Sequence, residues 1–323
     1  MTLRLDDRWV WDFWLVSDDQ LHHVFYLQAP TSLGDPELRH WNASIGHATS
    51  TDLANWTPVT DALGAGTPGA FDDRSTWTGS ILRYCDRWIM MYTGTSHAES
   101  GLVQRIGLAT STDLHTWSRD HDTVLSADPT LYETLDLGMW GDEAWRDPWM
   151  FVGPDDGRLH VYLTARAAAG DRFDRGVIGH ACTSDLRTWQ VLPPLETEGD
   201  GFGQREVPQL FELDGRWYLL FCSDIPTQSP ERRLGGPGTG TYYSVSQSPY
   251  GPFTMIGDGA LAVDRIGSSY AGRVHRTSDG TTWFLDWDRC APDGSFLGGI
   301  GAPRRVEALP DGTLTLISDA LAT

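Results

Sequence analysis

One twelve-residue phrase recurs along the chain and limits what it can fold into. Residues 45–56 read Ile-Gly-His-Ala-Thr-Ser-Thr-Asp-Leu-Ala-Asn-Trp, and 106–117 read Ile-Gly-Leu-Ala-Thr-Ser-Thr-Asp-Leu-His-Thr-Trp. Residues 178–189 repeat it as Ile-Gly-His-Ala-Cys-Thr-Ser-Asp-Leu-Arg-Thr-Trp, and a degenerate copy starts at Tyr242. At this spacing, roughly 65 residues, a chain of 323 residues holds five units. The Ile-Gly-x-Ala run alternates as a strand does. The Ser/Thr-Asp pair that follows suits a turn in which the side chain bonds backbone two residues on. Trp56, Trp117 and Trp189 then supply an apolar plate for packing.

Each unit also carries one short aromatic and β-branched run behind a polar turn: Val24–Leu27, Trp88–Tyr92, Leu159–Thr164, Trp217–Cys222 and Trp283–Trp287. Long amphipathic helices are absent; the longest helix-compatible stretch lies around Leu131–Leu137. The pattern predicts an all-β fold, a five-bladed β-propeller with four antiparallel strands per blade, as a single domain over 1–323. The Gly/Pro-rich segments 61–70 and 226–241 read as loops over one face, and 61–76, 126–144 and 226–241 are expected to shape the rim.

Composition narrows the partners. The 24 basic residues are all Arg, which excludes a side-chain amine for Schiff-base chemistry and a lysine-bearing phosphate loop. A net charge of −20 disfavours nucleic acid, anionic membranes and polyanions, and favours a neutral substrate. Cys85, Cys182, Cys222 and Cys290 form no Cys-x-x-Cys pair, and the ten His are scattered, so no metal and no cofactor is expected. The N-terminus lacks an apolar signal segment and no run is long enough to span a membrane. A cytoplasmic protein is expected, or a secreted one if a leader has been removed.

In a propeller the first strand of each blade faces a central funnel. Those strands open at Trp9–Trp14, Trp77–Ser80, Trp145–Trp149, Arg205–Phe211 and Ser268–Arg273. Three of them carry one carboxylate each: Asp12, Asp147 and Glu206. Asp12 sits in an aromatic run, an awkward place for an unpartnered charge. Asp147 beside Arg146, and Glu206 beside Arg205, read equally well as local ion pairs. Carboxylates facing one another with an Arg nearby form the constellation of glycoside hydrolysis.

The motifs then reach a known family. The chain resembles the catalytic propeller of glycoside hydrolase family 32, the invertase, inulinase and levanase family, and of its clan relative family 68. His23-Val-Phe-Tyr with Gln28, the 46–56 segment, Trp77-Thr-Gly-Ser80 with Tyr92-Thr-Gly94, Arg146-Asp-Pro148, Glu206-Val-Pro-Gln-Leu-Phe211 and Tyr270-Ala271 follow that family's order. The resemblance implies Asp12 as nucleophile, Glu206 as general acid/base and Asp147 as the stabiliser that bonds sugar hydroxyls. It implies Arg146 holding Asp147 or the substrate, Gln28, Trp77, Ser80 and Tyr270 around a furanose ring, and Trp11 and Trp14 as stacking surface. The expected activity is retaining cleavage of β-fructofuranosides in a neutral oligosaccharide or polysaccharide, with fructosyl transfer when a sugar is the acceptor.

Some residues depart from the family pattern. Val10-Trp-Asp-Phe-Trp14 is closer to family 68 than to family 32, and Val207 and Gln209 replace a Cys and an Asp of the acid/base motif. Ser-Pro-Tyr-Gly-Pro-Phe at 248–253 resembles family 43, so an inverting arabinofuranosidase or xylosidase is the first alternative. A sugar-binding propeller without catalysis is the second. The C-terminal β-sandwich usual in family 32 is not expected, which leaves a face for homo-oligomer contacts.

Overall fold

The computed structural model describes residues 2–195 and 199–317. Its strands form five four-stranded antiparallel meanders, the blades of a propeller. Blade one holds β1 (Arg8–Ser17), β2 (His22–Pro30), β3 (Ser44–Ser50) and β4 (Thr57–Pro58). Blade two holds β5 (Ser75–Tyr84), β6 (Arg87–Thr95), β7 (Gln104–Ser111) and β8 (Ser118–Leu125). Blade three holds β9 (Trp145–Val152), β10 (Leu159–Arg166), β11 (Gly176–Thr183) and β12 (Gln190–Leu192). Blade four holds β13 (Glu206–Leu213), β14 (Arg216–Ser223), β15 (Thr239–Ser246) and β16 (Ala260–Asp264). Blade five holds β17 (Ser269–Arg276), β18 (Thr282–Asp288), β19 (Arg304–Ala308) and β20 (Leu314–Ile317). No β-sandwich occurs among the described residues.

The first strand of every blade touches its counterparts in the next, β1 to β5 to β9 to β13 to β17 and back to β1, which closes the ring. The N-terminal segment reinforces closure: Leu3 bridges Ile300, and Arg4 donates to the Gly298 carbonyl at 2.9 Å. Apolar clusters fill the seams between blades, for example Ile89, Leu108, Trp145 and Val161 between blades two and three. Each such fully buried side chain stabilises the fold by roughly 1.5–3 kcal/mol relative to exposure.

The recurring phrase is the outer turn of a blade. In blade one Asp52 Oδ1 accepts from the Ala54 and Asn55 N–H groups at 2.9 and 2.7 Å, and Ser50 Oγ accepts from Asp52 N. The same bonds recur at Asp113 and Asp185. This lattice holds Leu53, Leu114 and Leu186 at positive φ, a conformation a bulky residue adopts only when its surroundings impose it. Of the stretch Leu131–Leu137 only Leu135–Leu137 is helical, as a 3-10 turn, and Tyr132 instead bridges Ala167. Among the described residues the one α-helix, α1 (Pro230–Gly235), lies in the 226–241 loop, where Ser229 caps the Arg232 N–H and Pro230 takes the first position.

Candidate active site

All five first strands break register at the same level. The irregularities fall between Trp11 and Phe13, Trp77 and Gly79, Arg146 and Trp149, Glu206 and Gln209, and Tyr270 and Arg273. A bulge inserts a residue that no partner opposes and re-aims its side chain. Asp12, Asp147, Val207 and Ala271 consequently sit at positive φ, each at a cost on the order of 1–3 kcal/mol. Threonines on neighbouring strands catch the freed backbone. Thr93 Oγ1 accepts from Asp147 N at 2.9 Å, Thr164 Oγ1 from Val207 N at 3.0 Å, and Thr241 Oγ1 from Gly272 N at 3.0 Å. The bulges let consecutive residues reach one cavity, which period-two alternation forbids. Trp11 with Asp12, Trp77 with Thr78, Arg146 with Asp147, and Glu206 with Val207 all line it.

That cavity, of about 590 Å³, lies on the axis and brings Asp12, Asp147 and Glu206 together with Trp11, Trp77, Arg146 and Tyr270. Three other expected contacts lie elsewhere. Trp14 is fully buried in the core, stacked on Phe25 with ring centroids 6.2 Å apart. Gln28 is buried against Ser44, and Ser80 Oγ is spent accepting the Met150 N–H, a tie from blade two to blade three. For Trp14 and Ser80 the reason is the bulge. In an unbroken strand Trp14 shares a face with Asp12; the extra residue puts it on the face of Trp11 instead, inside the packing.

The carboxylates have different company. Asp12 accepts from Thr78 Oγ1 at 3.0 Å and from Trp287 Nε1 at 2.9 Å, with no guanidinium at ion-pair distance among the described residues. Burial, then the negative charges of Asp147 and Glu206, push its pKa up to about 7. Asp147 Oδ2 accepts from Thr164 Oγ1 at 2.7 Å and from Val207 N at 3.2 Å, with Arg146 Nε 3.6 Å away. Burial raises its pKa too, against the pull of Arg146. Glu206 is held at both oxygens: Arg146 donates to Oε1, and the Tyr270 hydroxyl donates to Oε2 at 2.6 Å.

Arg146 is the hub. It donates to Gln104 at 2.9 Å, to Asp142 at 3.2 Å, and to Gln204 and Glu206. Behind it, Arg166 pairs with Asp142 at 3.0 Å and with Glu133 at 3.2 Å, and Glu133 also takes Arg175 at 2.9 Å. Burial works against the Asp142 charge, yet Arg146 and Arg166 hold its pKa below the usual range. This chain of pairs fixes the guanidinium that orients Glu206.

Several lining residues escaped the sequence reading: Arg39, His40, Trp41, Thr78, Gln104, Asp142, Gln204, Asp224, Trp287 and Arg289. Gln204 had a signal, since it lies two residues before Glu206. Asp224 and Arg289 also had one. They follow directly on the second strands of blades four and five, and they pair at 2.7 Å in the cavity wall. Of the expected rim loops, 126–144 contributes Gly141 and Asp142 and 226–241 contributes Thr227, whereas the 31–43 connection was not anticipated. The lining carries six carboxylates (Asp12, Glu37, Asp142, Asp147, Glu206, Asp224) against three guanidiniums (Arg39, Arg146, Arg289), which disfavours an anionic ligand. Among the described residues no group of His, Cys, Asp or Glu is arranged to hold a metal, and no helix is long and apolar enough to cross a membrane.

A five-bladed propeller whose inner strands deliver three carboxylates to one axial cavity has the architecture of the propeller glycoside hydrolases. The chain belongs to glycosyl hydrolases family 32: the N-terminal domain model of that family matches residues 14–291, starting just after Asp12. Among curated relatives, the levansucrase of Erwinia amylovora is 28% identical over 166 residues, covering 44% of this chain and 39% of that protein. The extracellular sucrase of Zymomonas mobilis is 24% identical over 305 residues, covering 80% of this chain and 71% of its own. The chain thus spans about two fifths of the levansucrases it matches. Inulosucrase from Halalkalicoccus jeotgali bound to kestose superposes with a TM-score of 0.80 at 23% identity, covering 99% of this chain and 92% of that one. Bacillus subtilis levansucrase gives 0.75 at 15% identity, covering 97% and 87%. At these identities the structural likeness shows the fold.

Proposed function

We propose that the protein cleaves β-fructofuranosides with retention of configuration and passes the fructosyl group to water or to a sugar hydroxyl. The observation that carries this reading is the convergence of Asp12, Asp147 and Glu206 from three blades on one cavity. Family membership, with a sucrase and levansucrases among the relatives, supports the substrate class.

In this mechanism ionised Asp12 attacks the anomeric carbon, and its two neutral donors leave the charge uncancelled for that attack. Glu206, held by Arg146 and Tyr270, gives a proton to the leaving oxygen as the glycosyl bond breaks. A covalent fructosyl–Asp12 ester results. Glu206 then takes a proton from water or from an acceptor hydroxyl, which attacks the ester and restores the Asp12 carboxylate. Asp147 accepts hydrogen bonds from ring hydroxyls, and these strengthen as positive charge grows at the anomeric centre.

The test is a panel of sucrose, inulin, levan, difructose anhydrides and arabinofuranosides, with wild type and Asp12→Ala run side by side. The configuration of the first product is read by NMR. Fructose, or a fructosylated acceptor, released with retention by wild type alone is the expected result. Pentose release, or an inverted first product, overturns it.

A further inference from the structure

His40 lies in the connection between β2 and β3, residues 31–43. Antiparallel neighbours need a turn of only a few residues. Here the connection instead folds into a 3-10 segment, Pro36–Asn42, that reaches the cavity on the Asp12 side. The segment is fixed. Asp35 Oδ1 accepts from Glu37 N at 2.9 Å, and Asn42 Nδ2 donates to the Leu38 carbonyl at 2.9 Å. The Arg39 guanidinium lies 4.6 Å from the Phe296 ring centre and 5.6 Å from that of Trp11. Trp77 Nε1 donates to the His40 carbonyl at 2.6 Å.

These contacts stand the imidazole edge-on between two cavity walls. Its ring centre is 6.1 Å from Trp11 at 74° and 6.2 Å from Trp77 at 70°. The exposed His97, His115 and His121 aside, the other histidines bond one another or a serine: His23 to His47, His160 to His180, and His22 and His275 to Ser17. Neither ring nitrogen of His40 has a partner among the described residues, although the ring lines the cavity. Burial, then the charges of Arg39 and Arg146, push its pKa down to about 3, so the ring is neutral near pH 7. A neutral imidazole offers one donor and one acceptor. The carboxylates around it only accept and the guanidiniums only donate, so His40 is suited to a sugar hydroxyl, which does both.

We propose that His40 is a substrate-contacting residue, whose imidazole, held between Trp11 and Trp77, hydrogen-bonds a hydroxyl of the sugar seated against Asp12. The inference rests on the fructosyl reading above. It is tested with kcat/KM for sucrose and for sucrose derivatives each lacking one fructosyl hydroxyl, using wild type, His40→Phe and His40→Asn, with thermal midpoints measured for all three.

His40→Phe keeps an aromatic edge but no nitrogen. It should lose about 5- to 50-fold in kcat/KM on sucrose and be indifferent to one deoxy derivative that wild type handles poorly. His40→Asn should recover part of that selectivity, and it carries the test if the Phe variant does not fold. A wild type that cleaves sucrose while His40→Phe matches it, or loses rate equally on every derivative, overturns the inference alone. A wild type that cleaves no fructoside overturns the fructosyl reading and the inference with it.

Discussion

Blades one and three are near twins whose carboxylates keep different company. Each first strand carries a bulged Asp at positive φ, Asp12 or Asp147, with a threonine hydroxyl on the carboxylate. Each blade carries an Asp–His–His relay, Asp18–His23–His47 or Asp156–His160–His180. In each, the Ser/Thr-x-Asp turn joins the third strand to the fourth. What differs is the residue before the Asp. Arg146 stands beside Asp147, whereas Trp11 stands beside Asp12. The same scaffold therefore presents one carboxylate balanced by a guanidinium and one bonded only by neutral donors. The balanced one suits steady hydrogen bonding to hydroxyls. The unbalanced one keeps its charge available for a bond to carbon.

The comparison breaks if the two aspartates prove interchangeable. Asp12→Asn should lower kcat by roughly 10⁴-fold or more, because it removes the atom that attacks in the proposed mechanism. Asp147→Asn should lower it by roughly 10²- to 10³-fold, the scale of one lost transition-state contact. Single-turnover rates on sucrose separate the two. Stability should move the other way for Asp12. Its folded pKa of about 7 exceeds the ordinary 3.8, so the ionised group opposes folding as pH rises through that window, and fully above it. Asp12→Asn should gain roughly 1–3 kcal/mol in urea unfolding at pH 8, after screening by cavity water, and nothing at pH 3.5.

The pH profile sharpens the same contrast at a smaller scale. In the proposed mechanism only ionised Asp12 attacks, so with Glu206 protonated kcat/KM should rise with pH along an acid limb that ends near 7. After burial, the Asp147 charge is the next cause of that high value. In Asp147→Asn the limb should therefore move to lower pH, by about 1 unit. A limb that stays in place would mean that burial and the Glu206 charge set the Asp12 ionisation without Asp147.

The turns at Asp52, Asp113 and Asp185 were legible in sequence because every bond they make spans three residues or fewer. The second strands were legible because each is a short local run of aromatic and β-branched residues behind a polar turn, and Val24–Leu27 and Leu159–Thr164 fall inside β2 and β10. The acids were found by their offset within each unit and by resemblance, and the cavity does gather them. The bulges were not legible. They depend on threonines such as Thr93 and Thr164, some 40 to 55 residues away in sequence. For that reason Trp14 and Ser80, placed around the sugar by the family resemblance, lie instead in the core and in a seam between blades. Arg39 and His40 were missed because a 3-10 connection displays neither strand nor helix periodicity.

The smallest predicted effect concerns the relays that make the two blades alike. His23 Nε2 lies 3.2 Å from Asp18, and His23 Nδ1 lies 2.9 Å from His47 Nε2. If His23 donates to Asp18, its Nδ1 accepts from His47, and the buried His47 Nδ1 is a bare acceptor with no partner. Protonating that nitrogen would strand a buried donor, so the pair resists charge. Burial, then His23 and His115, hold the His47 pKa down to about 3, and burial likewise depresses His23. The unfolded chain therefore binds more protons than the folded one as pH falls from 6.5 towards 3, and stability is lost across that window. Blade two shows the apolar solution. Ile89 pairs with Thr110 as His23 pairs with Thr49, and Leu108 stands where blade one has His47. His23→Ile with His47→Leu should therefore leave unfolding at pH 7 within about 1 kcal/mol of wild type and recover about 1 kcal/mol at pH 4. Equal acid sensitivity in the double variant would move the cause to the other relay, where His160→Ile with His180→Leu makes the matching substitution in blade three.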